Sequence, residues 1–218
     1  MKLNSIILAD DSKDCDIRDL CVSLREKALN TIQQYEELHT DVECQCIVPY
    51  SNMVNKHTLS EILSLINSNS FISFWYGHGK SAKFTLANED IITQTENYYI
   101  FSNALVYTFS CSNGKDLADT LIANGVKAFV GYTEEIQCPL GMDDVTSRIA
   151  NIFVVAFIQD GKKVKDAMLD LKDAYNKAVY DESLDVFTRG YYQTNRDALV
   201  LKGDGELTLK ELLIEYNE

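Results

Sequence analysis

The sequence predicts an α/β fold with a mainly parallel central sheet. Apolar runs of strand length alternate along the chain with longer segments whose apolar residues recur at helical spacing. This alternation is typical of units in which a helix connects two parallel strands. The chain has 218 residues, of which 46% are apolar, and this is enough for one buried core. We therefore expect residues 1–218 to form a single domain, arranged as a three-layer sandwich.

In the first half of the chain, apolar spacing separates strands from helices. Residues 4–9 are apolar at most positions, which suits a central strand buried on both faces. Apolar side chains at helical spacing cover 17–38, and Pro49 ends the next apolar run. The elements predicted here are a strand at 4–9, a helix at 17–38, a strand at 42–49, a short helix beginning near 58–60, a strand at 71–76 and a hairpin within 82–94.

In the second half of the chain, Gly, Asn and Asp residues mark where elements end. Asn124-Gly125 is a typical signal for the end of a helix. The turn Gly203-Asp204-Gly205 lies between two short apolar runs, which predicts a closing hairpin. The elements predicted here are a strand at 105–109, a helix at 115–124, a strand at 126–132, helices at 143–159 and 163–180, and hairpin strands at 198–202 and 207–209.

Composition and charge exclude several classes of partner. The formal net charge is −13, and a chain this acidic is repelled by phosphate backbones, so we expect no nucleic-acid partner. No apolar run approaches the length of a membrane span, and the N-terminal run is too short for a signal peptide. We therefore expect no membrane association and a cytoplasmic location, where the six cysteines would be thiols.

Two predicted strands end in reactive side chains with small residues around them. The strand at 71–76 is followed by Gly77-His78-Gly79, and the strand at 105–109 is followed by Ser110-Cys111-Ser112. In parallel α/β sheets, functional groups lie at the carboxyl ends of the strands. We therefore expect His78 and Cys111 on one rim of the sheet.

These residue types fit nucleophilic catalysis by a cysteine. A thiol reacts as the thiolate, so Cys111 needs a base, and His78 can accept its proton and later donate it to a leaving amine. The peptide N–H groups of Gly79 and Cys111 are candidate donors to the oxyanion that forms during attack. The simpler interpretation is that Cys111 and His78 are packing residues, but their matched positions after two sheet strands favour the catalytic one.

The two motifs resemble those of the caspase-like cysteine peptidases, the clan that includes caspases, metacaspases, gingipains, separase and the bacterial CHAT proteases. In that clan, one apolar strand ends in His-Gly and a later strand ends in a small residue followed by the catalytic Cys. The stretch from Leu105 to Tyr132 is most similar to the CHAT and gingipain branch. The resemblance implies a caspase-like fold, with His78 and Cys111 as the catalytic dyad and Gly79 in the oxyanion hole.

The resemblance also bears on substrate specificity. In several relatives that cleave after Arg or Lys, an acidic residue follows the first strand, and here that place holds Asp10 and Asp11. Glu134 follows the fifth predicted strand of the sheet at the same rim. We therefore expect Asp10, Asp11 and Glu134 to bind substrate and cleavage to follow Arg or Lys. The alternatives are that Asp11 caps the first helix and that Glu134 faces solvent.

The resulting interpretation is a cysteine endopeptidase that cuts a partner protein or peptide and needs no metal or organic cofactor for its chemistry. The relatives suggest a role in bacterial signalling or antiviral defence, with a regulatory protein partner. Two alternatives stay open: an inactive, partner-binding module, and a different cysteine hydrolase such as a thioesterase or amidase. Calcium dependence also stays open, because Asp11, Asp14 and Asp16 cluster but lack the Gly and Glu of a calcium-binding loop.

Overall fold

The computed structural model describes residues 1–66 and 70–215. Strands and helices alternate through most of this part of the chain. The strands are β1 (Lys2–Ala9), β2 (Glu43–Ile47), β3 (Phe71–Tyr76), β4 (His78–Lys80), β5 (Lys83–Leu86), β6 (Glu89–Thr93), β7 (Ala104–Phe109), β8 (Ala128–Tyr132) and β9 (Leu199–Gly203). The α-helices are α1 (Arg18–Leu38), α2 (Thr58–Ser64), α3 (Asp116–Ala123), α4 (Asp143–Ile158), α5 (Val164–Val179) and α6 (Val186–Ala198).

Six strands form one central sheet in the order β2-β1-β3-β7-β8-β9. The pairs from β2 to β8 are parallel, and β9 joins the edge of β8 in the antiparallel direction. The predicted mainly parallel sheet is confirmed, and its predicted strands agree with the observed ones to within two residues at each end. A second, three-stranded sheet of β4, β5 and β6 follows directly after β3.

The sheet is buried on both faces, which makes the domain a three-layer α/β structure. Along β3 every residue is buried, and alternate side chains point to opposite faces. One face packs with α1, α4, α5 and α6, and the other packs with α2, α3 and the small sheet. In the part of the chain that the structure describes, no helix has the length and apolar character needed to cross a bilayer.

The predicted closing hairpin at the end of the chain is wrong. Residues of β9 pair with β8, with Leu199 opposite Tyr132 and Gly203 opposite Ala128. Beyond β9, Leu207 is buried in the core, and its carbonyl accepts a hydrogen bond from the Val164 N–H at the start of α5. The open edge of β8 offers β9 five paired residues, which a short local hairpin would not provide.

The sequence analysis also missed α6. The helix is polar on average and has no run of large aliphatic residues, although its two faces differ clearly in hydropathy; its buried residues are Thr188, Tyr192, Asn195 and Ala198. The helix begins where the Asp185 carboxylate accepts hydrogen bonds from two N–H groups of the first turn.

Candidate active site

Strand register brings His78 and Cys111 to the same rim of the central sheet. Tyr76, the last residue of β3, lies opposite Phe109, the last residue of β7. The pairing continues one residue further, since the Gly77 N–H donates to the Phe109 carbonyl at 3.4 Å. His78 and Cys111 are therefore each two residues beyond a matched pair on neighbouring strands. We call this edge, formed by the residues after β1, β3, β7 and β8, the rim.

Gly79 lies in close contact with the segment that contains Cys111. A Cβ atom at this position would collide with the Ser110 Oγ and would lie 2.7 Å from the side-chain amide of Asn113. Only a residue without a side chain fits there, so Gly79 lets β4 pass directly beside the residues that precede and follow Cys111. The Ser110 side chain is buried in this contact.

The segment 110–114, here called the nucleophile turn, is fixed from both sides. On one side the Ser112 N–H donates to the Glu134 carbonyl at 3.0 Å, and the Gly114 N–H donates to the Tyr132 carbonyl at 2.8 Å. Ser112 itself has a φ of 58°, an unusual conformation for a residue with a side chain. These bonds attach the turn to the segment that leaves β8.

On the other side, Asn113 attaches the nucleophile turn to the small sheet. Its Nδ2 donates to the carbonyls of Lys80 at 2.8 Å and Lys83 at 2.6 Å, which are the ends of the β4–β5 hairpin. Asn113 is fully buried. It joins the His78-Gly79 segment to the Cys111 segment, and sequence analysis gave it no role because a turn Asn carries no sign of its partners.

Cys111 is a half-buried thiol. Burial raises its pKa above the ordinary value, and the carboxylates of Glu135 and Asp16 add to this, whereas the Ile136 N–H, 3.4 Å from the sulfur, acts in the opposite direction. At neutral pH the group is therefore a thiol that needs a base to react. Its own peptide N–H faces the Cys111 sulfur, which opposes the rise in pKa, and it donates to no other described residue.

His78 lies at the edge of the rim with polar neighbours. Its Nε2 is 3.0 Å from the Asp16 carboxylate and 3.8 Å from the Cys15 sulfur. The side chain is 43% exposed and that of Asp16 is 81% exposed. Among the described residues, no direct hydrogen bond joins His78 to Cys111, so Cys15 is the thiol that the free protein holds against the imidazole.

Cys15 and Asp16 were not singled out by sequence analysis as partners of His78. They lie in the loop 10–17, which has no strand or helix periodicity, and their only signal is that this loop follows β1 at the rim. Cys15 is buried, and a hydrogen bond from the Cys21 thiol lowers its pKa. The ligand atoms of Cys15, Asp16 and His78 all lie within 4.8 Å of one another, a spacing that suits a metal ion.

Asp10 and Asp11, the two predicted substrate-binding residues after β1, have different surroundings. Asp10 is only 1% exposed; its Oδ1 accepts hydrogen bonds from the Ser12 N–H and hydroxyl, and its Oδ2 accepts one from the Ala87 N–H at 3.1 Å. No cationic side chain within residues 1–66 and 70–215 pairs with it. Asp10 is therefore a buried carboxylate without a counter-ion.

Asp11, in contrast, is fully engaged in the free protein. Its Oδ2 is 2.8 Å from the Arg25 guanidinium, and its Oδ1 accepts hydrogen bonds from the N–H and hydroxyl of Ser51. Burial opposes ionisation, but the bonds from Ser51 and Arg25 outweigh it and lower the pKa of Asp11. These contacts occupy both carboxylate oxygens of Asp11, and the start of α1 has no side-chain cap, so the capping alternative is wrong.

Glu134 faces outward from the rim. Its carboxylate is 3.0 Å from the Lys115 ammonium and is mostly exposed, while its backbone carbonyl holds the nucleophile turn. This arrangement agrees with the solvent-facing alternative. A charge that is exposed and already paired with lysine offers little selectivity for a basic substrate.

A surface cleft of about 340 Å³ opens beside the rim. It lies between the loop that contains Cys15 and the loop that leads into α4. Its lining includes Cys15, Asp16, Leu20, Cys138, Leu140 and Asp143. The cleft therefore gives solvent and small solutes a route to Cys15 and Asp16, whereas neither His78 nor Cys111 lines it.

The chain matches no protein-family model and no curated protein. Function must therefore be inferred from the residues at the rim. The rim carries a thiol, an imidazole and a carboxylate beside the imidazole, which are group types that cysteine nucleophiles use in acyl transfer.

Proposed function

We propose that the protein is a caspase-like cysteine endopeptidase in which Cys111 is the nucleophile and His78 is the general base and acid. The observation that carries the proposal is the register of β3 and β7, together with the close approach of Gly79 to Ser110, which joins the His-Gly and Ser-Cys segments at one rim. Packing alone does not require a glycine, a histidine and a cysteine to meet at the functional edge of a parallel sheet.

The reaction would begin with attack of the Cys111 sulfur on a peptide carbonyl. His78 accepts the thiol proton, and the N–H groups of Cys111 and Gly79 stabilise the oxyanion. The C–N bond then breaks, His78 donates the proton to the leaving amine, and a thioester to Cys111 remains. Water attacks the thioester, His78 accepts a proton from that water, and the carboxylate product leaves as the thiol is restored.

In this mechanism Asp16 is a positioning residue. Its carboxylate, 3.0 Å from Nε2, orients the imidazole ring and leaves Nδ1 as the nitrogen that would exchange protons with Cys111. The distance between His78 and Cys111 in the free protein is longer than a hydrogen bond, and such contacts commonly tighten when substrate binds.

For specificity, we propose cleavage after Arg or Lys with Asp10 as the recognition carboxylate. Asp10 lies beside Gly77, since a Cβ on that glycine would be 3.4 Å from the Asp10 Cβ, and it has no cation of its own. Its Oδ2 accepts a single hydrogen bond and keeps capacity for another donor, but Asp10 is 1% exposed, so the residues that cover it must move aside before a substrate cation reaches it. Asp11 and Glu134 are already paired, so we assign them no part in selecting the substrate.

The physiological role proposed here is limited proteolysis of another protein in bacterial signalling or defence, under control of a regulatory partner. This role is supported by the resemblance to small caspase-like proteases. A second candidate activity is hydrolysis of thioesters or amides, because Asp16 supplies the orienting acid that such cysteine hydrolases use.

The experiment that tests the proposal compares two rim cysteines. Cys111→Ala should abolish cleavage of peptide libraries that contain Arg and Lys, whereas Cys138→Ala, which removes another half-buried thiol near the rim, should leave it within about twofold. An electrophilic peptide ending in Arg should label Cys111, located by mass spectrometry. Labelling of Cys15 instead would contradict the nucleophile assignment, and turnover of thioesters without peptides would favour the second activity.

A further inference from the structure

Three side chains cluster at the rim, and the proposed mechanism gives no role to one of them, Cys15. The Cys15 sulfur, an Asp16 carboxylate oxygen and the His78 Nε2 lie within 4.8 Å of one another. The three side chains offer three different donor types, a thiolate, a carboxylate and an imidazole. These are the ligand types that bind zinc in proteins, whereas calcium and magnesium prefer oxygen alone.

The distances in this cluster are close to those of a tetrahedral zinc site. With ordinary zinc–ligand bond lengths, two ligand atoms at the tetrahedral angle are about 3.4 Å apart for nitrogen and oxygen and about 3.6 Å for nitrogen and sulfur. The observed separations from His78 Nε2 are 3.0 Å to Asp16 Oδ1 and 3.8 Å to Cys15 Sγ. A shift of about 0.2–0.4 Å would bring these two pairs to the tetrahedral values. The third pair, Cys15 Sγ and the Asp16 carboxylate, lies within 4.8 Å.

The backbone holds Cys15 in place while the other two ligands remain accessible. The Cys15 N–H donates to the Ser12 carbonyl at 3.3 Å, and the Cys15 carbonyl accepts from the Arg18 N–H at 3.2 Å, so the loop is a pair of tight turns. Cys15 is buried, whereas the side chains of Asp16 and His78 are accessible to solvent. An ion can therefore enter from the surface cleft and meet a fixed sulfur.

We propose that Cys15, Asp16 and His78 form a zinc-binding site, and that zinc bound there holds the proposed peptidase inactive. Three protein ligands leave the fourth zinc position to a water molecule. An imidazole that binds zinc through Nε2 carries its proton on Nδ1, so it has no lone pair left to accept the proton of Cys111. The inhibitory half of this inference rests on the proposed function, but the metal site itself does not.

The binding test titrates the full chain, kept reduced, with Zn²⁺ in competition with a coloured zinc chelator. One equivalent of zinc should bind, and Cys15→Ser and His78→Ala should each weaken binding at least about tenfold, since even outer-shell changes cost that much. Cys111→Ala should bind zinc as the wild type does. The double variant Cys44→Ala/Cys46→Ala should also bind normally, which excludes the other cysteine pair as the site.

Substitution with Co²⁺ gives a second readout that needs no enzymatic activity. Bound cobalt should show the absorption of a thiolate ligand in tetrahedral geometry, and this should disappear in Cys15→Ser while circular dichroism stays unchanged. The proposal is overturned if the chain does not compete for zinc, if Cys111→Ala loses binding as Cys15→Ser does, or if the cobalt spectrum survives in Cys15→Ser.

Activity assays on the same samples show whether the zinc-site proposal or the peptidase proposal is wrong. If zinc binds and the wild type cleaves peptides, added zinc should stop cleavage and a chelator should restore it. Zinc binding with no cleavage under metal-free conditions would support the site and count against the proposed function. Cleavage that persists with one equivalent of zinc bound would overturn the inhibitory role.

Discussion

The rim has polar, solvent-accessible contacts on the His78 side and buried, backbone-mediated contacts on the Cys111 side. His78 contacts Asp16 and Cys15 in a loop without regular structure. Cys111 lies in a turn that is hydrogen-bonded both to the segment after β8 and to the β4–β5 hairpin. The proposed nucleophile therefore lies on the more constrained side of the rim, and the proposed base lies on the more exposed side. The proposed zinc site lies on the exposed side, because its three ligands include the imidazole and do not include the Cys111 thiol.

The largest expected effect comes from removing the base. His78→Ala should lower kcat/KM for an Arg-containing peptide by about 10²–10⁴-fold, because general acid–base catalysis contributes that much in enzymes. His57→Ala is the matched control, since His57 is an exposed histidine away from the rim, and it should change kcat/KM by less than about twofold. Equal losses in both variants would mean that the decrease does not come from the proposed chemistry.

The second prediction tests whether catalysis depends on the contact between Asp16 and His78. Asp16→Asn should lower kcat by roughly ten- to hundredfold with little change in KM, because a misoriented imidazole slows proton transfer without affecting substrate binding. Asp16→Glu should recover part of the loss by keeping a carboxylate within reach. Asp14→Asn, an exposed neighbour in the same loop, is the control. A rise in KM with unchanged kcat would instead assign Asp16 to substrate binding.

The third prediction concerns the fixed Cys111 side. Asn113→Ala removes two buried hydrogen bonds to the Lys80 and Lys83 carbonyls, so urea unfolding should show a loss of about 2–3 kcal/mol. Cleavage should also fall, because the hairpin that carries Gly79 loses its attachment to the nucleophile turn. Asn124→Ala, at an exposed helix end, should cost less than about 1 kcal/mol. Full stability in Asn113→Ala would show that the two sides are joined by other contacts.

The sequence predicts the parts of the rim that belong to the sheet and does not predict those that belong to loops. Apolar runs define β3 and β7, and parallel strands necessarily end at one edge, so His78 and Cys111 could be placed together. The partners Cys15, Asp16 and Asn113 come from irregular segments whose paths depend on tertiary packing. The tail shows the same limit, since β9 pairs with β8, far away in the sequence, and not with its neighbour.

The smallest expected effects come from Asp10 and Asp11, the two acidic residues after β1, and they should differ in kind. Asp11→Ala leaves Arg25 and Ser51 without their partner, so unfolding should show a loss of about 1–3 kcal/mol, while the preference for Arg over uncharged substrates should persist. Asp10→Asn should weaken that preference, because the carboxylate without a counter-ion is the one left for a substrate cation.

The lowered pKa of Asp11 also predicts how the stability of the protein depends on pH. The folded-state pKa of Asp11 is lowered, so its contribution is present above the unfolded value near 3.8 and is lost as pH falls below that value through the folded pKa. Wild type should therefore lose more stability than Asp11→Ala between about pH 4 and the acid limit of folding, measured by urea unfolding at each pH. Parallel curves for the two proteins would contradict the Arg25–Asp11–Ser51 assignment and return Asp11 to the candidates for substrate binding.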